Sequence, residues 1–201
     1  MSYEYHEFRD QILKVLERVL KPKRLTHTLG VETTAIALAR LYHVSDTEAS
    51  IAALLHDIAK NMDQEILESL VLHSPYGELL SPIDKYPQLL HAFAGAEWIL
   101  EKYPQVSEEI VNAVRFHTTG RPYMGTLEKI IFVSDYIEPG RKPFPGLETA
   151  REATFKDLDQ GVSIVLKQTL EYLKAQNQES HILTSQTYAY MQEFMAEQES
   201  R

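Results

Sequence analysis

Residues 45–60, SDTEASIAALLHDIAK, decide how this chain is read. Ser45 followed three residues later by Glu48 is a capping box, and the apolar segment Ile51, Ala52, Leu54, Leu55, Ile58 comes directly after it. This is a helix with a defined start, and it carries His56 and Asp57 near its C-terminal end. Working outward, Leu25, Val31, Thr34, Ala35, Leu38 and Leu41 trace a helix on the N-terminal side, running to a turn at residues 43–46 and holding His27 in its first turns. Before it, Ile12, Val15, Leu16 and Val19 form one apolar stripe that Pro22 ends.

On the C-terminal side the helical spacing continues. Asp63 is placed to cap a helix through Ile66, Leu67, Leu70 and Val71. A loop rich in Pro, Gly and Ser then runs to about Pro87. His91 falls early in a helix over residues 88–102. Ser107 opens another whose inner face is Ile110, Ala113, Val114 and His117. After the turn HTTGRP, the positions Leu127, Ile131 and Asp135 lie four apart on one face. A long helix over 148–175 and a terminal one carrying Tyr188, Met191 and Met195 complete the pattern. No stretch alternates as a strand would, so the expected fold is all-α, with residues 1–201 as a single domain whose core spans about 13–173.

Composition narrows the chemistry. The chain of 201 residues has 44% apolar and 24% charged residues, ordinary for a soluble domain. Its formal charge of −9 repels a phosphate backbone, which argues against nucleic acid as partner and toward a small phosphorylated molecule gripped by local cations. There is no cysteine, so disulfides, thiolate nucleophiles and Cys-based metal sites are excluded. The N-terminus lacks a signal-peptide pattern and no apolar run approaches about 18 residues, which predicts a cytoplasmic protein with no membrane span.

Six residues carry the chemistry. Adjacent His56 and Asp57 lie about 100° apart on a helix, so both reach one metal while the carboxylate offers its second oxygen to another. His27, His91, His117 and Asp135 come from four other helices, each on or beside an apolar face where an unpaired polar group is costly to bury. A lone histidine in such a place is ordinarily a hydrogen-bonded core residue. The ordered set, one member per helix and all facing inward, is what points to a shared metal. Imidazole with carboxylate suits iron, manganese or zinc and does not choose among them.

Lys60, on the His56 face, is a candidate to neutralise charge on a transferred phosphate or its leaving group. Arg24, Thr118, Thr119, Gly120, Arg121 and Arg141 are candidates for gripping substrate, because guanidinium forks match phosphate and Gly120 permits close backbone approach. Lys21 and Lys23 read as a solvated flank. Tyr76, Tyr86, Phe93 and Tyr123 are aromatics capable of stacking a base, and His6, His43, His73 and His181 read as surface or loop residues.

The order H…HD…H…H…D on an all-α core resembles the HD-domain phosphohydrolase superfamily. The stretches RLTHTLGVETTA (24–35), AALLHDIAK (52–60), HTTGRPYM (117–124) and SDYIEPGR (134–141) resemble the bacterial YqeK-type symmetrical bis(5'-nucleosyl)-tetraphosphatases more narrowly. Ser134 stands where alanine is commoner in that subfamily. The resemblance implies that His27, His56, Asp57 and Asp135 hold one metal and Asp57, His91 and His117 a second, with a bridging hydroxide, and it favours iron among divalent or mixed-valent ions. It implies in-line attack of that hydroxide on a central phosphate of diadenosine tetraphosphate, giving two ADP, and it suggests a homodimer. Within the superfamily the alternative substrates are mononucleotides, cyclic dinucleotides and alarmones. Outside this class the alternative is a non-catalytic nucleotide-binding module.

Overall fold

The computed structural model describes residues 3–200. Among them the chain forms ten α-helices and no strand: α1 Tyr3–Val19, α2 Pro22–Leu41, α3 Asp46–Leu55, α4 Gln64–Leu72, α5 Leu90–Lys102, α6 Glu108–Phe116, α7 Thr126–Ile137, α8 Leu147–Lys156, α9 Leu158–Ala175 and α10 Ile182–Glu199. None is long and apolar enough to cross a membrane.

α3 is the centre of the bundle. Every residue from Ala49 to Leu55 is buried, as expected of a helix that is apolar all round. It packs on α2, α6 and α7, and α2 and α6 also pack on α7. α5 lies against α6 and α4, whereas α9 connects α7 to α8 and α10. The C-terminal end of α3 therefore opens into the space between α2, α5, α6 and α7, where the other candidate ligands sit. α1 is fastened to this bundle by Arg9, which donates from Nε and Nη2 to the two oxygens of buried Glu32 at 2.7 Å each, and Glu32 also accepts from Ser50 at 2.5 Å.

Local details depart from the expected pattern. Only half of the capping box at Ser45 forms: its hydroxyl accepts from Glu48 N at 3.3 Å, but the Glu48 carboxylate accepts instead from Ser107, the N-cap residue of α6. Asp63 occupies the N-cap of α4 without a side-chain cap. The single helix expected over 148–175 is two. Asp157 adopts an extended conformation (φ −154°, ψ 118°), ends α8 and caps α9 by accepting from Gln160 N at 3.0 Å. His181 is not a surface residue. It is buried at the start of α10, where Nε2–H donates to Leu79 O at 3.0 Å and Nδ1 accepts from Leu183 N.

Candidate metal centre

α3 ends at Leu55, and the chain continues through tight turns in which Ile58 N bonds to Leu55 O and Lys60 N to Asp57 O. His56 keeps helical angles (φ −55°, ψ −38°) and is fully buried; Asp57 is 2% exposed. The two oxygens of Asp57 face in different directions. Oδ2 lies 3.3 Å from His56 Nε2 and 3.9 Å from His27 Nε2, whereas Oδ1 lies 3.1 Å from His91 Nε2 and 3.8 Å from His117 Nε2. Asp135 Oδ1 completes the first side, 2.9 Å from His27 Nε2 and 3.9 Å from His56 Nε2. All six residues expected to meet from five helical segments do so.

The imidazoles are oriented from behind. Nδ1 of His56 donates to Ala53 O at 2.6 Å and Nδ1 of His117 to Val114 O at 2.7 Å, each one turn back along its own helix. Nδ1 of His27 donates to Glu138 Oε1 at 3.1 Å. In each ring the proton is held on Nδ1 and the Nε2 lone pair is turned into the cluster, the tautomer a metal ligand needs. Nε2 of His27, Nε2 of His56 and Oδ1 of Asp57 are buried and make no hydrogen bond. Leaving three such atoms without partners is costly, and a cation among them removes the cost. The ligand atoms of His27, His56 and Asp135 lie within 4.8 Å of one another, as do those of His56, Asp57 and His117. The cluster is suited to metal binding.

Charge is balanced tightly here. Burial pushes the His117 imidazole down to about 3 and also lowers that of His91, so both are neutral donors at pH 7. Burial alone also works against a charged His56, but the adjacent Asp57 outweighs it and raises that ring. Burial works against the Asp57 carboxylate as well, yet His56 and His91 hold it well below the usual range. The same opposition holds Asp135 low, with His27 and His56 prevailing over desolvation.

Glu138 is the buried carboxylate behind His27 that sequence patterning missed. It is 3% exposed and lies just beyond α7. Its second oxygen accepts from Gly140 N. A Cβ on Gly30 would come within 2.5 Å of that oxygen and one on Gly140 within 2.9 Å, so two glycines make the space the carboxylate occupies. Glu138 and Gly30 are present in the stretches SDYIEPGR and THTLG, yet nothing in either marks them as neighbours.

Cations surround the cluster. Arg24 Nη1 lies 2.8 Å from Asp57 Oδ2 and Arg141 Nη2 2.8 Å from Asp135 Oδ1. Lys60 Nζ lies 3.1 Å from His91 Nε2 and 3.9 Å from Asp57 Oδ1. These three line a cavity of about 790 Å³ together with Lys21, Lys23 and Lys142, so the lysines read as a solvated flank belong to its wall. Arg121 does not reach it. Its guanidinium donates to both oxygens of Glu128 at 2.7 Å each and covers the Phe116 ring, beside a different cavity. Gly120 (φ 64°) packs against α10, where a Cβ would meet Thr187 Cγ2 at 2.8 Å, and the fully buried Thr119 donates to Gly120 O. Both shape the turn after α6. Thr118 keeps a buried hydroxyl oxygen without a hydrogen-bond partner. None of Tyr76, Tyr86, Phe93 and Tyr123 lines the cationic cavity; Phe144 does.

A bundle of helices around an ordered His/Asp cluster is the HD architecture, and the HD domain family model matches residues 24–140. The chain belongs to the HD domain family. It is 40% identical over 183 residues to the symmetrical bis(5'-nucleosyl)-tetraphosphatase of Halalkalibacterium halodurans, covering 90% of this chain and 95% of that one. It is 36% identical over 183 residues to the protein of the same name from Bacillus subtilis, covering 91% and 97%. A crystal structure from Clostridium acetobutylicum, described as a predicted HD superfamily hydrolase involved in NAD metabolism, superposes with a TM-score of 0.81 at 33% identity, covering 90% of this chain and 95% of that one.

Proposed function

We propose that this protein is a symmetrical bis(5'-nucleosyl)-tetraphosphatase, a metal-dependent hydrolase that converts diadenosine tetraphosphate and water into two ADP. The observation that carries the metal chemistry is the divided Asp57 carboxylate, with one oxygen toward His27 and His56 and the other toward His91 and His117. In this reading His27, His56, Asp135 and Asp57 Oδ2 hold one ion, and His91, His117 and Asp57 Oδ1 a second. The substrate is supported by the relatives, whose names state that activity over nearly the full length compared. The donors suit a borderline transition metal, and resemblance to the tetraphosphatases favours iron over manganese and zinc.

When bound, the pair of ions supplies Lewis acidity and a water of lowered pKa. The chain's own residues do the rest. Arg24 and Arg141 stand at the rim of the cluster, where guanidinium forks pair with nonbridging phosphate oxygens. Lys60 is partly exposed at the same rim, and its ammonium offsets charge on the departing phosphate. Water adds its oxygen to one central phosphorus and gives up a proton to solvent, and the bond from that phosphorus to the central bridging oxygen breaks. The bridging oxygen leaves on the second ADP. Because the leaving group is itself a stable phosphate anion, no general acid is required. No protein nucleophile is needed either.

Metal-reconstituted protein incubated with diadenosine tetraphosphate is expected to give ADP as the only nucleotide product. Formation of AMP with ATP, or no turnover with any of the three metals, would overturn the assignment.

A further inference from the structure

The cavity beside the cluster holds a feature the hydrolytic reading leaves unused. Its wall is cationic in a chain of net charge −9, and beyond Arg24, Lys60 and Arg141 it carries three lysines that reading does not employ, Lys21, Lys23 and Lys142. The one carboxylate among the lining residues, Glu138, is committed to His27 and Gly140. Lys21, Lys23 and Arg24 sit at the start of the 20-residue α2, whose first turn has no acidic residue and whose N-cap side chain makes no capping bond, although Lys21 N donates to Asn61 Oδ1 at 3.0 Å. Cations there run against the helix dipole, and an anion relieves both conflicts.

Phe144 is the one large apolar side chain among the lining residues. Its loop is fastened at both ends: Arg141 donates to Asp135 O, and Gly146 O accepts from Gln168 at 3.1 Å. The ring stands edge-on to Tyr136 at 5.3 Å, and the Tyr136 hydroxyl donates to Gln168 at 2.9 Å. The aromatic is thus held from behind and remains 36% exposed in a cavity otherwise suited to phosphate. A volume of about 790 Å³ lies within the range of small-molecule sites, roughly 300–1,000 Å³. A held aromatic face beside a group of lysines is complementary to a nucleoside diphosphate, with the flat base on the ring and the phosphates among the cations.

We infer that this cavity is the seat of one nucleoside diphosphate half of the substrate, with the base stacked on Phe144 and the phosphates held by Lys21, Lys23 and Lys142. This rests on the nucleotide-hydrolase reading above and adds the residues that recognise the nucleoside.

Calorimetric titration of the metal-loaded full chain with ADP, and separately with inorganic pyrophosphate as a probe lacking a base, tests it. Phe144→Ala is expected to weaken ADP binding about tenfold or more while pyrophosphate binding changes less than about twofold, and Phe144→Trp to restore ADP binding. Lys142→Ala is expected to weaken both ligands. Unchanged ADP affinity in Phe144→Ala would overturn the inference, as would equal loss of both ligands that Trp fails to restore. The assay of the preceding subsection is independent: wild-type protein that binds ADP in this way but releases none from diadenosine tetraphosphate would refute the substrate and leave the nucleotide seat standing.

Discussion

His27 reaches the cluster through residues that contribute no ligand atom. Its Nδ1 is held by Glu138, and Glu138 is held in a space that only glycine at positions 30 and 140 leaves open. A carboxylate behind a ligating imidazole fixes its tautomer and raises its basicity. Glu138→Gln keeps the shape and removes the charge, so metal affinity is expected to fall about 10- to 100-fold with helical content unchanged, measured by competition with a chelator of known affinity. His181 makes a different prediction. Burial lowers its pKa, so the folded state prefers the neutral ring. The unfolded chain takes up the proton first, and this residue's contribution to stability is present above pH ~6.5 and declines as pH falls below it. Urea denaturation from pH 8 to 5 should show a stability loss that is smaller in His181→Gln; an equal loss in both would contradict the assignment. The six ligand candidates were legible at this scale because a His or Asp on an apolar face demands a partner. Glu138 was not, because its role comes from α2 and the loop after α7 meeting in three dimensions.

The break between α8 and α9 shows what periodicity misses at the scale of elements. Apolar spacing continues through Asp157, so the chain reads as one helix, whereas the Asp157 side chain satisfies Gln160 N and starts a new one. The signal was present as an N-cap residue inside the run, outranked by pattern. Asp157→Ala is expected to cost about 1 kcal/mol and to lower the melting temperature by roughly 2–4 °C in calorimetry. The turn after α6 teaches the same lesson from the other side. Its position beside His117 suggested that Arg121 grips substrate, but the backbone turns away and gives Arg121 to Glu128. Arg121→Ala should therefore lower thermal stability and leave KM for the dinucleotide unchanged; a raised KM with normal stability would restore it to the binding site. The remaining helices were legible because their caps and stripes agree, as at Ser107 and along α3.

Across the whole molecule, fold and chemistry depend on one arrangement. α3, buried from Ala49 to its C-terminal end, delivers His56 and Asp57 to the point where α2, α5, α6 and α7 present the other ligands, and the cations gather on the open side of that point. The all-α architecture could be read from the chain because every segment keeps helical spacing. The cationic cavity could be read only in part: Arg24, Lys60 and Arg141 stand beside ligand-bearing motifs, whereas Lys21 and Lys23 look like a solvated flank and nothing in the sequence marks Lys142. The central claim is that Asp57 joins two metal ions. Elemental analysis of protein purified without chelator tests it most directly: two transition-metal ions per chain are expected in the wild type and loss of both in Asp57→Ala, whereas a metal-free wild type, or a variant that keeps its full metal content, would contradict it.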